Sequence, residues 1–427
     1  MLCLGGLFMA ESLPRVHLAI DNCFASKRWT RPSEWMDIIH DLGLKYIEAS
    51  TDTECDPMYM DAGYLDDWMD EVARVSEKKG LRVVNLHSGH GSYATLGLAH
   101  TDPRNRDRIQ HDWMESLILM AERIGAGVGF YCHAFNDGVL QDSVRYSELL
   151  GDLYNRLAQL SEFAAKHGET TLGVEQMYTP HQIPWTIPGT RLLLEAVNAR
   201  GNHPFYITID TGHQTAQRSF IRPSEEAIRL ACSPSTSSTN ARSTKPAWFG
   251  TKRCYEILDQ RGSDSDPSGF ETGIDEIRMQ MDSHPYLFAT EEDGDPYAWL
   301  GTFGCYSPII HLQQTDGSSS SHQPFTGECN VQGRIFGGKV LEALRSSCDR
   351  PRSNHMPPRC ADIYLTLEIF SKTSDISPSI IRNLEQSVAY WRQFIPVDGL
   401  PIDQLTGKGQ TGSKAPTESV PGVGRMP

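Results

Sequence analysis

The stretch "FYITIDTGH", Phe205 to His213, decides the fold. It is rich in β-branched and aromatic residues, which marks a buried strand. The strand runs straight into Asp210, and His213 follows three positions later. Polar groups at the end of a buried strand make sense in a parallel barrel, where the carboxyl ends of all strands share one mouth.

Working outward, seven further segments carry the same strand character. They are "VHLAID" (16–21), "KYIEAS" (45–50), "RVVNLHS" (82–88), "GVGFYCHA" (127–134), "TLGVEQM" (171–177), "SPIIHLQQ" (307–314) and "DIYLTLEIF" (362–370). Helical patterns fill the gaps at 32–43, 65–80, 106–125, 146–168, 190–201, 338–347 and 379–394, several stopping on Gly. In "DWMESLILMAERIG" the residues Trp113, Leu117, Met120 and Ile124 recur every three to four positions, as in a helix lying on a sheet.

Parallel strands need crossover helices, and eight strand–helix units predict a closed (β/α)8 TIM barrel. An open doubly wound sheet is the alternative, but no G-x-G-x-x-G follows the first strand. Residues 1–15 read as an N-terminal extension and 16–402 as the barrel. A long insertion at 214–306, between strands six and seven, reads as a decoration of the rim. Residues 403–427 lack an apolar period and are expected to be disordered.

Composition narrows the function. With 39 Lys+Arg against 54 Asp+Glu the net charge is −15, which repels a phosphate backbone, so no nucleic-acid partner is expected. Ten scattered cysteines without a C-x-x-C pair read as the reduced thiols of a cytoplasmic protein. No apolar run reaches 18 residues, which excludes an ordinary membrane-spanning helix, and no membrane partner is expected. "MLCLGGLFMA" lacks the basic start of a signal peptide.

Four consecutive strands bring polar residues to the mouth: Glu175, Asp210, His311 and Glu368. Burying three carboxylates requires compensating charge, and no Lys or Arg set lies on these strands. One divalent cation answers that need. Three oxygens and one nitrogen, with room for water or substrate, suit Mn2+ first, then Mg2+ or Co2+, with Zn2+ also admissible.

Further candidates surround this set. His87 and His133 end earlier strands, and either reads equally well as a core histidine bonded to backbone. His213 stands one turn beyond Asp210, placed to contact substrate or a metal ligand. Asp316 and His322 lie in "QQTDGSSSSHQPFTG", a polar loop at the mouth, although the Asp316–Gly317 pair also satisfies plain turn chemistry. Arg104, in "LGLAHTDPRNRDR", is either a solvated helix start or part of a lid that contacts a phosphate or a sugar hydroxyl.

The series Glu, Asp-x-x-His, His, Glu over strands five to eight resembles the xylose isomerase-like superfamily of sugar and sugar phosphate isomerases and epimerases. Within it, "NCFASKRW", "LGLAHTDPRNR", "GFYCHAF", "DGDPYAWL" and "SPIIHLQQTDG" are similar to its tetrulose phosphate branch. The resemblance spans Val16 to Phe394 and implies that Glu175, Asp210, His311 and Glu368 bind the metal, while His213 contacts a sugar or sugar phosphate. It also implies that Glu175 and Glu368 act as acid and base on the carbon next to a ketose carbonyl, through an enediolate. Whether the chain isomerises or epimerises, and whether it forms a homo-oligomer, stays open in the sequence. The same superfamily contains trinuclear zinc endonucleases, whose ligands have counterparts in His87, His133, Glu175, Asp210, His213, His311 and Glu368. Their close Asp-x-His pair is absent, because Asp316 and His322 are six residues apart. A polyol dehydratase and a catalytically silent sugar-binding barrel are the remaining alternatives.

Overall fold

In the computed structural model, residues 13–88, 97–232, 247–261 and 267–406 are described. Eight parallel strands close on themselves: β1 (Arg15–Asp21), β2 (Tyr46–Ser50), β3 (Arg82–Ser88), β4 (Gly127–Phe130), β5 (Leu172–Glu175), β6 (Phe205–Asp210), β7 (Ile309–Leu312) and β8 (Asp362–Leu367). β1 pairs with both β2 and β8, which seals the barrel and confirms the expected fold. A two-residue β9 (Leu400–Pro401) adds antiparallel to the start of β1.

All seven expected outer helices form, within a few residues of their predicted limits. Asp61 and Asn136 cap helix starts through side-chain oxygens, and Gly80 and Gly125 take left-handed conformations at helix ends. The third helix differs: between Pro103–Arg108 and Glu115–Ile124 it widens into a π turn at Ile109–Met114. Trp35, Trp113, Trp299 and Trp391 are fully buried, one from each of four outer helices. Each such side chain contributes roughly 1.5–3 kcal/mol or more of apolar burial to holding helix on barrel.

The expected insertion divides in two. Helix Pro296–Phe303 packs on Gly337–Ser347 and so completes the outer ring after β6. The remainder, with helices Glu225–Cys232, Lys252–Arg261 and Pro267–Ser283, forms a small cluster tied by ion pairs such as Arg229–Glu271. Residues 233–246, the centre of the polar stretch, lie outside the described residues. At the C-terminus, Ile402–Leu405 is a short helix, so order continues past the expected limit at 402. The tail from 407 lies outside the described residues, as do residues 1–12.

Nine cysteines among the described residues are free thiols. No helix among them is long and apolar enough to cross a membrane. The strands deliver Asp21, Glu48, His87, Glu175, Asp210 and His311 at or near their carboxyl ends, with Glu368 one residue beyond β8, all on the same side of the barrel.

Candidate active site

β6 sets the centre. Asp210 Oδ1 accepts the backbone N–H of Gly212 at 2.6 Å and of His213 at 3.1 Å, a turn that folds the chain back over the carboxylate. That turn is why the sequence reads Asp-x-x-His. His213 donates Nδ1–H to the carbonyl of Gln176 at 2.7 Å, which leaves Nε2 toward Asp210 Oδ2, 4.0 Å away. Gln313, two residues beyond His311, donates to both Asp210 oxygens at 2.9 Å.

The four expected ligands converge. One donor atom from each of Glu175, Asp210, His311 and Glu368 lies within 4.8 Å of the others. His311 Nδ1 stands 3.1 Å from Glu175 Oε1 and 3.3 Å from Glu368 Oε2. Two overlapping groups adjoin it, Asp210 with His213 and His322, and Glu48 with His87 and His311. His87 Nε2 is 3.3 Å from Glu175 Oε2, and His322 Nδ1 is 3.3 Å from Glu368 Oε2.

Electrostatics favour a cation here. Burial pushes the Asp210 carboxyl up, His213 partly offsets this, and the charge of Glu368 pushes it further. Burial also works against ionised Glu175 and Glu368, yet the surrounding imidazoles outweigh it and hold both below the usual carboxylate range. Glu368 Oε2 is buried without a well-directed hydrogen bond. Three buried carboxylates and an imidazole, with one carboxylate oxygen lacking a well-directed hydrogen bond, fit a divalent cation as a donor set.

The cluster opens into a cavity of about 300 Å³ whose wall includes Ser50, His87, Tyr131, Tyr178, His213, His322 and Phe370. A cavity of that size suits a small ligand. A second cavity, about 370 Å³, lies at the other end of the barrel beside Arg82 and Asp362, away from all three donor groups.

Other expected contacts are not at the cavity. Arg104 is exposed and pairs with Asp102 at its own helix start, and its side chain does not line the cavity. Asp316 accepts from Ser318 N at 2.8 Å and from Ser318 Oγ at 2.6 Å, which is turn chemistry. His133 is buried in a left-handed conformation (φ 69°) against Gly97, outside the cavity wall. Neither of its ring nitrogens has a partner among the described residues, and burial pushes its pKa down to about 3. His322 does reach the site, in a left-handed conformation (φ 46°), with its ring stacked on Phe370 at 3.8 Å.

The structure adds residues that the sequence reading passed over. Glu48 on β2 is fully buried, with Oε2 2.9 Å from His311 Nε2. Its signal is the same as that of Glu175, a lone carboxylate among apolar strand residues in "KYIEAS". Asp21 ends β1 and accepts Ser50 Oγ–H at 2.8 Å. Gln313 and Gln176 carry no charge and so left no mark in the sequence.

Comparison with known proteins places this geometry. A family model described as "Xylose isomerase-like TIM barrel" matches residues 36–231. The D-erythrulose 1-phosphate 3-epimerase of Brucella abortus is 32% identical over 120 residues, 28% of this chain and 35% of that protein. The match thus spans about a third of the length of that curated relative. A proposed xylose isomerase from Rhodospirillum rubrum has a similar crystal structure, with TM-score 0.60 and 16% identity, covering 88% of this chain and 99% of the other. A D-allulose 3-epimerase from Methylomonas sp. aligns with TM-score 0.49 and 13% identity, over 90% of this chain and 99% of the other. Over residues 36–231 the chain is thus similar to the xylose isomerase-like TIM barrel family, and the barrel closes beyond that match through β7 and β8.

Proposed function

We propose that this barrel is a metal-dependent ketose or ketose phosphate 3-epimerase or isomerase. The observation that carries the reading is the convergence of Glu175, Asp210, His311 and Glu368 within 4.8 Å at the barrel mouth. These four would hold one divalent ion, with Mn2+ the first choice. A bound ion of this kind supplies Lewis acidity to a carbonyl and its neighbouring hydroxyl.

The protein's own groups handle the proton. Glu175 and Glu368, on β5 and just past β8, both border the cavity and are held ionised, as a base must be. One takes the proton next to the carbonyl and the other supplies one. Return to the same carbon on the opposite face gives an epimer; return to the neighbouring carbon gives an isomer. His213, His87 and His322 line the cavity where they can bond substrate hydroxyls. The name of the Brucella abortus relative supports a tetrulose phosphate as the first substrate to try. Free thiols throughout the described residues support a cytoplasmic setting.

A second reading, multinuclear zinc phosphodiesterase chemistry, draws on the adjoining Asp210, His213 and His322 group. Asp316 turned to its own loop and the net charge of −15 weigh against it.

The test is a panel of ketoses and ketose phosphates incubated in D2O, before and after chelation. Deuterium at the carbon next to the carbonyl, lost on chelation and restored by Mn2+, is the expected result. Full turnover in metal-free protein, or cleavage of an abasic duplex without exchange, would overturn it.

A further inference from the structure

Glu48 is not part of the cavity wall and has no part in the chemistry above. Its Oε2 is 2.9 Å from His311 Nε2, and its Oε1 accepts Asn85 Nδ2–H at 2.7 Å. His87 Nδ1 lies 3.5 Å from the same Oε1. β4 makes room for this arrangement. A Cβ on Gly129 would stand 2.6 Å from His87 Nδ1 and 2.8 Å from Asn85 Nδ2, and one on Gly127 would stand 2.9 Å from Asn85 Oδ1. The "GVGF" of β4 is therefore shaped around the groups that surround Glu48.

A carboxylate only accepts hydrogen bonds, so when a cation takes Nδ1 the ring proton of His311 sits on Nε2, toward Glu48. The opposite nitrogen, Nδ1, then faces Glu175 and Glu368, 3.1 and 3.3 Å away. A bond to the outer nitrogen of an imidazole fixes its tautomer and ring plane and raises its basicity as a ligand.

We propose that Glu48, braced by Asn85, is a positioning residue that fixes the orientation and tautomer of His311 and thereby sets the affinity of the four-residue cluster for a divalent cation. The proposal rests on the reading of that cluster as a cation site. It also assigns Glu48 to support of one site, not to a separate ion held with His87.

Calorimetric titration of Mn2+ into metal-free full-length protein tests this without any substrate. Glu48→Gln is expected to weaken Mn2+ binding by about 10–100-fold at unchanged stoichiometry. Asn85→Ala, which leaves the carboxylate in place but unbraced, should weaken it in the same direction by less. Nitrogen-15 spectra of the histidine rings give a readout that folding alone does not move: the Nε2–H proton of His311 should be held against exchange with water in the parent and exchange faster in Glu48→Gln. Unchanged affinity in both variants, or an unchanged His311 ring signal in Glu48→Gln, would overturn the proposal. Loss of one of two bound ions would do so as well, by making Glu48 a ligand. If the parent protein binds none of Mn2+, Mg2+, Co2+ or Zn2+, the cation-site reading itself fails, and this proposal with it.

Discussion

His213 donates its Nδ1 proton to the carbonyl oxygen of Gln176 across 2.7 Å. The other ring nitrogen, Nε2, faces the cavity beside Asp210. In His213→Asn the amide nitrogen can keep the bond to Gln176 while Nε2 is deleted. We expect KM for the sugar to rise roughly fivefold, about 1 kcal/mol, with kcat and Mn2+ affinity nearly unchanged. Steady-state kinetics beside metal titration check this, and a fall in metal affinity without a change in KM would make His213 a ligand.

Gly212 sits between Asp210 and His213 for a packing reason. A Cβ there would stand 2.2 Å from Gln313 Cδ, and Gln313 is the side chain that donates to both Asp210 oxygens. Because the obstacle is a side chain and not backbone, Gly212→Ala should displace Gln313 and spare the barrel. The expected outcome is about tenfold weaker Mn2+ binding with unchanged far-ultraviolet dichroism. Affinity equal to the parent would show that Asp210 needs no such support.

The contrast between Gly212 and Asp210 shows what a sequence can carry. Asp210, Glu175, His311 and Glu368 were legible because a charged group at the end of an apolar strand is anomalous unless strand ends converge. The barrel itself was legible from eight segments rich in β-branched residues separated by helical patterns. Glu48 carried the same anomaly and yet stood apart from the strand-five-to-eight series. Gln313, Gln176 and Gly212 leave no such trace, because neutral groups stay silent until their partners are known. Arg104 and Asp316 show the opposite case. Each is satisfied locally, by Asp102 and by Ser318, and pairing between near neighbours does not depend on the tertiary fold.

The two glutamates bordering the cavity should divide the chemistry between them. If Glu175 and Glu368 serve opposite faces of one carbon, replacing either stops interconversion, by roughly 10²–10⁴-fold. The remaining carboxylate can still remove a proton from the epimer that faces it. At saturating Mn2+, Glu175→Gln should therefore wash deuterium from D2O into one epimer only, and Glu368→Gln into the other only. Proton magnetic resonance of each epimer incubated separately reads this directly. Exchange of both epimers by the same variant would reduce the pair to a single base.

A buried acid away from the cluster gives a pH signature. Glu54 is 2% exposed, and its Oε1 accepts Trp35 Nε1–H and lies 3.5 Å from Asn22 Nδ2. Burial raises its pKa from 4.5 to about 8, despite the hydrogen bond from Trp35. In the unfolded chain this group releases its proton near 4.5, while the folded chain holds it to about 8. Between those values the folded state binds more protons, so stability falls as pH rises, by at most about 1.4 kcal/mol per unit from this group. Glu54→Gln keeps an acceptor for Trp35 and removes the titration. The melting temperature of the variant relative to the parent should therefore climb steadily from pH 5 to pH 8 and level off above. A difference that does not change with pH would show that Glu54 is ionised in the fold and finds its compensation elsewhere.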